Sequence, residues 1–114
     1  KPEEMLKQTT GEDSTIVRKR VVAARKLAEI RFGSEPGISC NAEMRSHHLR
    51  EFCVLDDTSR NLLEGAIRKL GLSARAMDRV LKVSRTIADL AGDRDLQSNH
   101  LAEAIQYRTI DRMQ

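Results

Sequence analysis

The chain is 114 residues long, the size of one domain, and its 39% hydrophobic and 32% charged residues suit a globular fold and exclude a disordered one. One Tyr, two Phe and no Trp leave too little aromatic surface for a base-stacking platform or an aromatic cage. Twenty bases against 17 acids give a net charge of +3, which permits contact with phosphate without demanding it.

No apolar run approaches the roughly 20 residues of a membrane helix. The opening Lys1-Pro2-Glu3-Glu4 has no signal-peptide core, so a cytoplasmic protein is expected. Cys40 and Cys53 carry no CxxC spacing and read as reduced thiols in that compartment. Residues 1–12 are polar and lack periodicity, and read as a junction to something upstream; residues 13–114 read as the domain.

Asp13 or Ser14 can cap a first helix to about Phe32, with Val17, Val21, Ala24, Leu27 and Ala28 on its inner stripe. After a loop at 33–37, Asn41 can cap a short helix through Met44, Leu49, Phe52 and Cys53. Asp56 or Asp57 caps a third helix, and Leu70-Gly71-Leu72 closes it in Schellman fashion. Ser73 caps a long helix to about Ala91, stopped by Gly92, and Ser98 caps a last helix through Leu101, Ala104, Ile105 and Ile110. No segment has the alternation of a strand. The expected fold is all-α, a small bundle of four to five helices.

The Ser73–Ala91 segment carries the chemistry. At 100° per residue, Asp78, Arg79, Lys82, Arg85, Thr86 and Asp89 share an arc of roughly 120°, and nearly everything else is apolar. So wide an apolar arc predicts a helix packed on two sides, with Asp78–Lys82 and Arg85–Asp89 self-paired at four-residue spacing. Arg75 stands apart. It occupies the first turn, where the helix dipole is positive and a cation costs about 0.3–1 kcal/mol, with no acid beside it. A guanidinium and unpaired backbone N–H groups at one place form an anion site; the alternative is an acid elsewhere in the fold, or water.

The stretch Gly71-Leu72-Ser73-Ala74-Arg75 through Gly92 resembles the C-terminal domain of ComM (YifB) proteins, AAA+ ATPases related to the magnesium chelatase I subunit. Further matches are Arg20-Val21 with Ala24-Arg25, Phe52-Cys53-x-Leu55, and His100-Leu101-Ala102-Glu103-Ala104-Ile105-Gln106-Tyr107-Arg108. The likeness runs from about Ser14 to Arg112. It implies an AAA+ helical lid, with Arg75 as the sensor-2 arginine toward the γ-phosphate. It also implies a parent that binds ATP and Mg2+, pairs this domain with an upstream ATPase core, assembles as a hexameric ring and acts on DNA in recombination or competence. No glycine here precedes a lysine, so no Walker A motif is present, and this fragment is expected to be no enzyme by itself, a monomer without its own cofactor.

Other constellations carry alternatives. Arg20 and Arg25, in the basic first helix, and Arg79 are candidates for phosphate or inter-subunit contacts, against the plain reading of a solvated face. Cys40, His47, His48 and Cys53 invite zinc, but Cys-x6-His-His-x4-Cys fits no standard finger and no metal is expected. Helix, Gly71 turn and helix evoke a helix-turn-helix DNA-binding module that would project Arg75, Arg79 and Lys82. A helical protein-interaction domain is the third reading.

Overall fold

The computed structural model describes residues 14–33 and 35–113, with side chains through residue 107. The junction read at 1–12, the cap at Asp13 and the side chain of Ile110 lie outside these. Five α-helices and a 3-10 turn follow in order: α1 (Ser14–Phe32), the turn (Asn41–Glu43), α2 (Ser46–Phe52), α3 (Asp57–Leu70), α4 (Ala74–Ala91) and α5 (Ser98–Met113). There is no strand among the described residues, so the bundle is all-α as expected. None of these helices is long and apolar enough to cross a membrane.

Local chemistry sets most boundaries. The Asp56 carboxylate accepts the Ser59 N–H at 2.7 Å to open α3, and the Ser73 hydroxyl accepts the Ala76 N–H at 3.1 Å to open α4. Both α3 and α4 end on a left-handed glycine, Gly71 at φ 63° and Gly92 at φ 76°, a region closed to most side chains. The two stops differ. Gly71 makes the single-bond form, its N–H reaching the Ile67 carbonyl at 2.9 Å. The two-bond Schellman pair expected there is found at Gly92 instead: Gly92 N–H to Asp89 O at 3.1 Å, and Asp93 N–H to Ala88 O at 2.9 Å.

Two expected caps are corrected. Asn41 caps nothing: it is the first residue of the 3-10 turn, its side chain is buried and bonded to α4, and the backbone is extended at Met44 and Arg45 before α2 begins. Ser98 is already helical, and the cap position belongs to Gln97, whose N–H is accepted by His100 Nδ1 at 2.9 Å. α2 opens the same way, with the Arg45 N–H on His48 Nδ1 at 3.0 Å. In each case the histidine sits three residues into the helix, where Glu or Gln would complete a capping box. Each ring is buried, and its Nε2 meets a carboxylate, Glu35 at 3.1 Å for His48 and Asp93 at 2.8 Å for His100.

α4 is the hub. It packs against α5, α1, α2 and the 3-10 turn, while α3 leans on α5. Val80 and Ala88 of α4 meet a core that includes Leu101 and Ala104 of α5, Phe32 of α1 and Leu63 of α3, all buried. Ser84, the polar intruder in the apolar arc, is fully buried and returns its hydroxyl proton to the Val80 carbonyl at 2.7 Å. Phe32 and Phe52 meet edge to face with ring centres 5.5 Å apart, which locks the end of α1 to α2. α1 is only partly seated. Phe32 is its one buried residue among those described, and Val17 and Leu27, expected on the inner stripe, are exposed.

Candidate functional site

The first turn of α4 is shaped from below by apolar anchors. Leu72 and Ala76 are both buried, which fixes the turn after Gly71 and leaves the intervening Ser73, Ala74 and Arg75 at the surface. The Ser73 hydroxyl takes the Ala76 N–H, and the Ser73 carbonyl takes the Met77 N–H at 2.9 Å. Only the Ala74 and Arg75 N–H groups then lack an acceptor within the helix. The turn contains no acid, and Arg75 makes no hydrogen bond or ion pair with any other described residue. Arg79, one turn on and also exposed, is equally unpaired among the described residues. The expected Asp78–Lys82 pair is not made there either. Two guanidinium groups and two backbone donors therefore share one open surface with nothing acidic bonded to them, a donor set that suits phosphate oxygens.

The other end of the helix uses its charges inwardly. Asp89 is 2% exposed, and its carboxylate takes a bidentate pair of bonds from Arg31, at 2.8 and 2.9 Å. It also accepts from Asn41 Nδ2 at 2.9 Å and Arg85 Nε at 3.2 Å. Arg85 is 4% exposed and spends its remaining donors on the carbonyls of Phe52, at 3.3 Å, and Asp93, at 3.0 Å. Burial pushes the Asp89 carboxyl up, but the Arg31 and Asn41 bonds and the two arginine charges outweigh it and hold it below its ordinary value. The Arg85–Asp89 pairing expected from spacing is present, but it is buried. What faces solvent on α4 is instead the row Arg75, Arg79, Val83, Thr86, Leu90. The polar arc is thus rotated against the exposed one, because Arg31 and Asn41 supply partners that α4 alone could not reveal.

The remaining candidates disperse. Arg20 lines an open groove with Val17, Val21, Ile87, Leu90, Glu103 and Tyr107, beside the last turns of α4. From Arg75 to Ile87 is roughly 18 Å along the helix axis, so Arg20 and Arg75 do not meet at one ligand. Arg25 is exposed on α1 and lines neither place. The four-residue zinc constellation is also broken up. Burial pushes the Cys53 thiol up to about 11, its Sγ lies 3.8 Å from the Leu81 carbonyl, and Cys40 is exposed beside Glu43. The donor atoms of Glu35, His47 and His48 do gather within 4.8 Å of one another. However, His48 Nδ1 accepts the Arg45 N–H, which puts its proton on Nε2, and the nitrogen facing Glu35 then has no lone pair for a cation.

A family model and several relatives match nearly the whole chain. The family model described as magnesium chelatase, subunit ChlI C-terminal, matches residues 11–108. Competence protein ComM of Haemophilus influenzae is 44% identical over 103 residues, covering 90% of this chain and 19% of that protein. The uncharacterized protein YifB of Escherichia coli is also 44% identical over 103 residues, with the same shares. An uncharacterized protein of Mycobacterium tuberculosis is 34% identical over 98 residues, 86% of this chain and again 19% of the relative. The chain spans about a fifth of the length of the curated relatives it matches.

Proposed function

Because the chain belongs to the family of magnesium chelatase subunit ChlI C-terminal domains, we propose that it is the helical lid of a ComM-type AAA+ ATPase and that Arg75 is its phosphate-sensing arginine. The observation that carries the reading is the state of the first turn of α4. An arginine stands where the dipole disfavours it, without an acid in the turn or a partner among the described residues. A charge left uncompensated within a domain is best accounted for by a counter-charge that arrives from outside it.

In this reading ATP with Mg2+ supplies the phosphoryl group, held by a separate core of the same polypeptide. Arg75 donates its guanidinium N–H groups to the terminal phosphate oxygens, and the Ala74 and Arg75 N–H groups add partial positive charge at the same place. Arg79 lies one turn further and steadies the approach of the lid or meets a neighbouring subunit. Arg20 and Arg25 belong to that second role, on a surface turned toward the next member of a ring. The buried Arg31–Asp89–Arg85 cluster ties α1, α4 and the 3-10 turn into one body, so that motion at the nucleotide is passed on as rotation of the whole lid. The parent then works as a motor on DNA in the cytoplasm. The competing helix-turn-helix reading is disfavoured by the exposed row on α4, in which Val83 and Leu90 stand where a groove-reading helix needs polar side chains.

Steady-state ATP hydrolysis by the full-length protein tests the proposal, comparing wild type with Arg75→Ala and measuring nucleotide affinity alongside. Loss of one charge-stabilising donor lowers turnover by about 10²-fold or more while the variant stays folded and still binds nucleotide. Unchanged turnover would detach this domain from the chemistry.

A further inference from the structure

α3 carries a glycine that its own domain does not require. Gly65 stands in the interior of the helix, where glycine is the least suitable residue after proline. A Cβ added there would meet nothing within 4 Å, so no close packing inside the domain excludes a side chain. The missing side chain instead leaves open a groove of about 420 Å³ between α3 and α5, lined by Leu62, Gly65 and Ala66 on one side and Ala102 on the other. Leu62 is 37% exposed. Lys69, the charged member of the lining, is exposed and makes no hydrogen bond or ion pair with any other described residue. A local rule broken without compensation inside the fold points to a contact from outside it. The groove is also tied to the turn that presents Arg75. Leu70 and Ile105, which line it as well, pack on the buried Ala66, Leu72 and Ala76, and Leu72 and Ala76 anchor the first turn of α4.

From this groove we infer that α3 and α5 form a docking site for a short apolar segment bordered by an acidic residue, supplied by the part of the same polypeptide that lies outside this domain. Chemistry decides among the occupants. The groove takes apolar side chains, Gly65 lets the backbone that carries them come close, and a flanking Asp or Glu meets Lys69. Groove on groove, a second copy would set Lys69 against Lys69 and leave hollow against hollow. A nucleic acid would pair with Lys69 but leave Leu62 in water. The source follows from position and length. The groove shares its buried cluster with the turn that presents Arg75, and the core of the same polypeptide comes to that turn in the reading above. The relatives are about five times as long as the stretch they share with this chain, so most of the polypeptide is available to supply the segment. The inference rests on the reading of this domain as the lid of a longer ATPase.

The test uses the full-length protein carrying Gln106→Cys, an exposed position on the α5 side of the groove. Maleimide labelling there is followed by peptide mass mapping and compared with the same position in denatured protein. Coverage by the docked segment slows labelling by about tenfold or more. The slowing is independent of protein concentration. Adding Gly65→Leu, whose side chain occupies the open space, expels the segment and restores labelling; adding Lys69→Glu does the same by charge rather than bulk. Labelling at the denatured rate from the outset overturns the proposal. So does protection that vanishes on dilution, which would put a neighbouring copy in the groove, and so does protection that survives Gly65→Leu, which would place the cover elsewhere. Protection that survives Lys69→Glu overturns the acidic border. Failure of the lid reading shows separately, in the hydrolysis of Arg75→Ala, because Arg75 lines no part of the groove.

Discussion

Two arginines on one helix, ten positions apart, show how this domain divides its charges. Arg85, in the second half of α4, is buried and spends its donors on Asp89, Phe52 and Asp93. Arg75, in the first turn, is exposed and bonded to no described residue. The dipole of α4 works against Arg75, and nothing local offsets it. The neighbouring helix makes the difference plainer: α3 opens on Asp56 and Asp57, acids that suit a positive helix end, whereas α4 opens on a neutral serine and then a cation. One end of α4 is built to hold the domain together. The other is built at a small cost to it.

The sharpest way to break this contrast is at its buried end. Asp89→Ala leaves Arg31 and Arg85 without the buried carboxylate they share, and a severed buried pair costs about 3–5 kcal/mol. For a domain of this size that is a large share of the total stability. Chemical denaturation of the variant against wild type reads it directly. A loss below about 1 kcal/mol would mean that both arginines find solvent and that the cluster is no strut.

Acid sharpens the same point with a smaller effect. The Asp89 carboxyl is held below its ordinary value, so the folded state favours its charged form. Its contribution is fully present above the usual carboxylate range near about pH 4 and is lost as pH falls through the lowered folded value. Wild-type stability therefore drops more steeply below about pH 4 than that of Asp89→Ala, which has already lost the group. Parallel acid limbs in the two proteins would assign the slope to other carboxyls.

How much of this was legible in the residues follows from how far apart the partners lie. The helix ends at Asp56, Gly71, Ser73 and Gly92 depend on atoms within five residues, and composition and spacing are enough to find them. The Gly71 and Gly92 stops look alike as letters, and only the backbone tells which one closes two bonds. Ser98 is by residue type the natural cap of α5, yet a histidine three positions in does the same work from the other side. The cluster was out of reach. Arg31 and Asp89 are 58 positions apart, Asn41 and Asp89 are 48 apart, and each has an ordinary local role available to it as terminal cation, cap or surface acid. Arg75 was visible for the opposite reason. Its misfit is with its own helix, which needs no distant residue to be recognised.

That misfit carries the smallest prediction and the most discriminating one. An exposed cation in a first turn destabilises its helix, so Arg75→Glu, which replaces it with a charge the dipole favours, stabilises this domain by about 0.3–1 kcal/mol. Arg75→Ala stays within about 0.5 kcal/mol of wild type. Both values come from denaturation midpoints at low salt, and the gain of Arg75→Glu shrinks as salt is added. A domain that becomes firmer while the full-length protein loses ATP turnover separates the two ends of α4 more cleanly than either measurement alone. It would mean that Arg75 is retained against the interest of the fold, for a ligand outside it. If Arg75→Glu instead costs more than about 1 kcal/mol, the guanidinium has a partner within the domain, and the contrast between the two arginines dissolves.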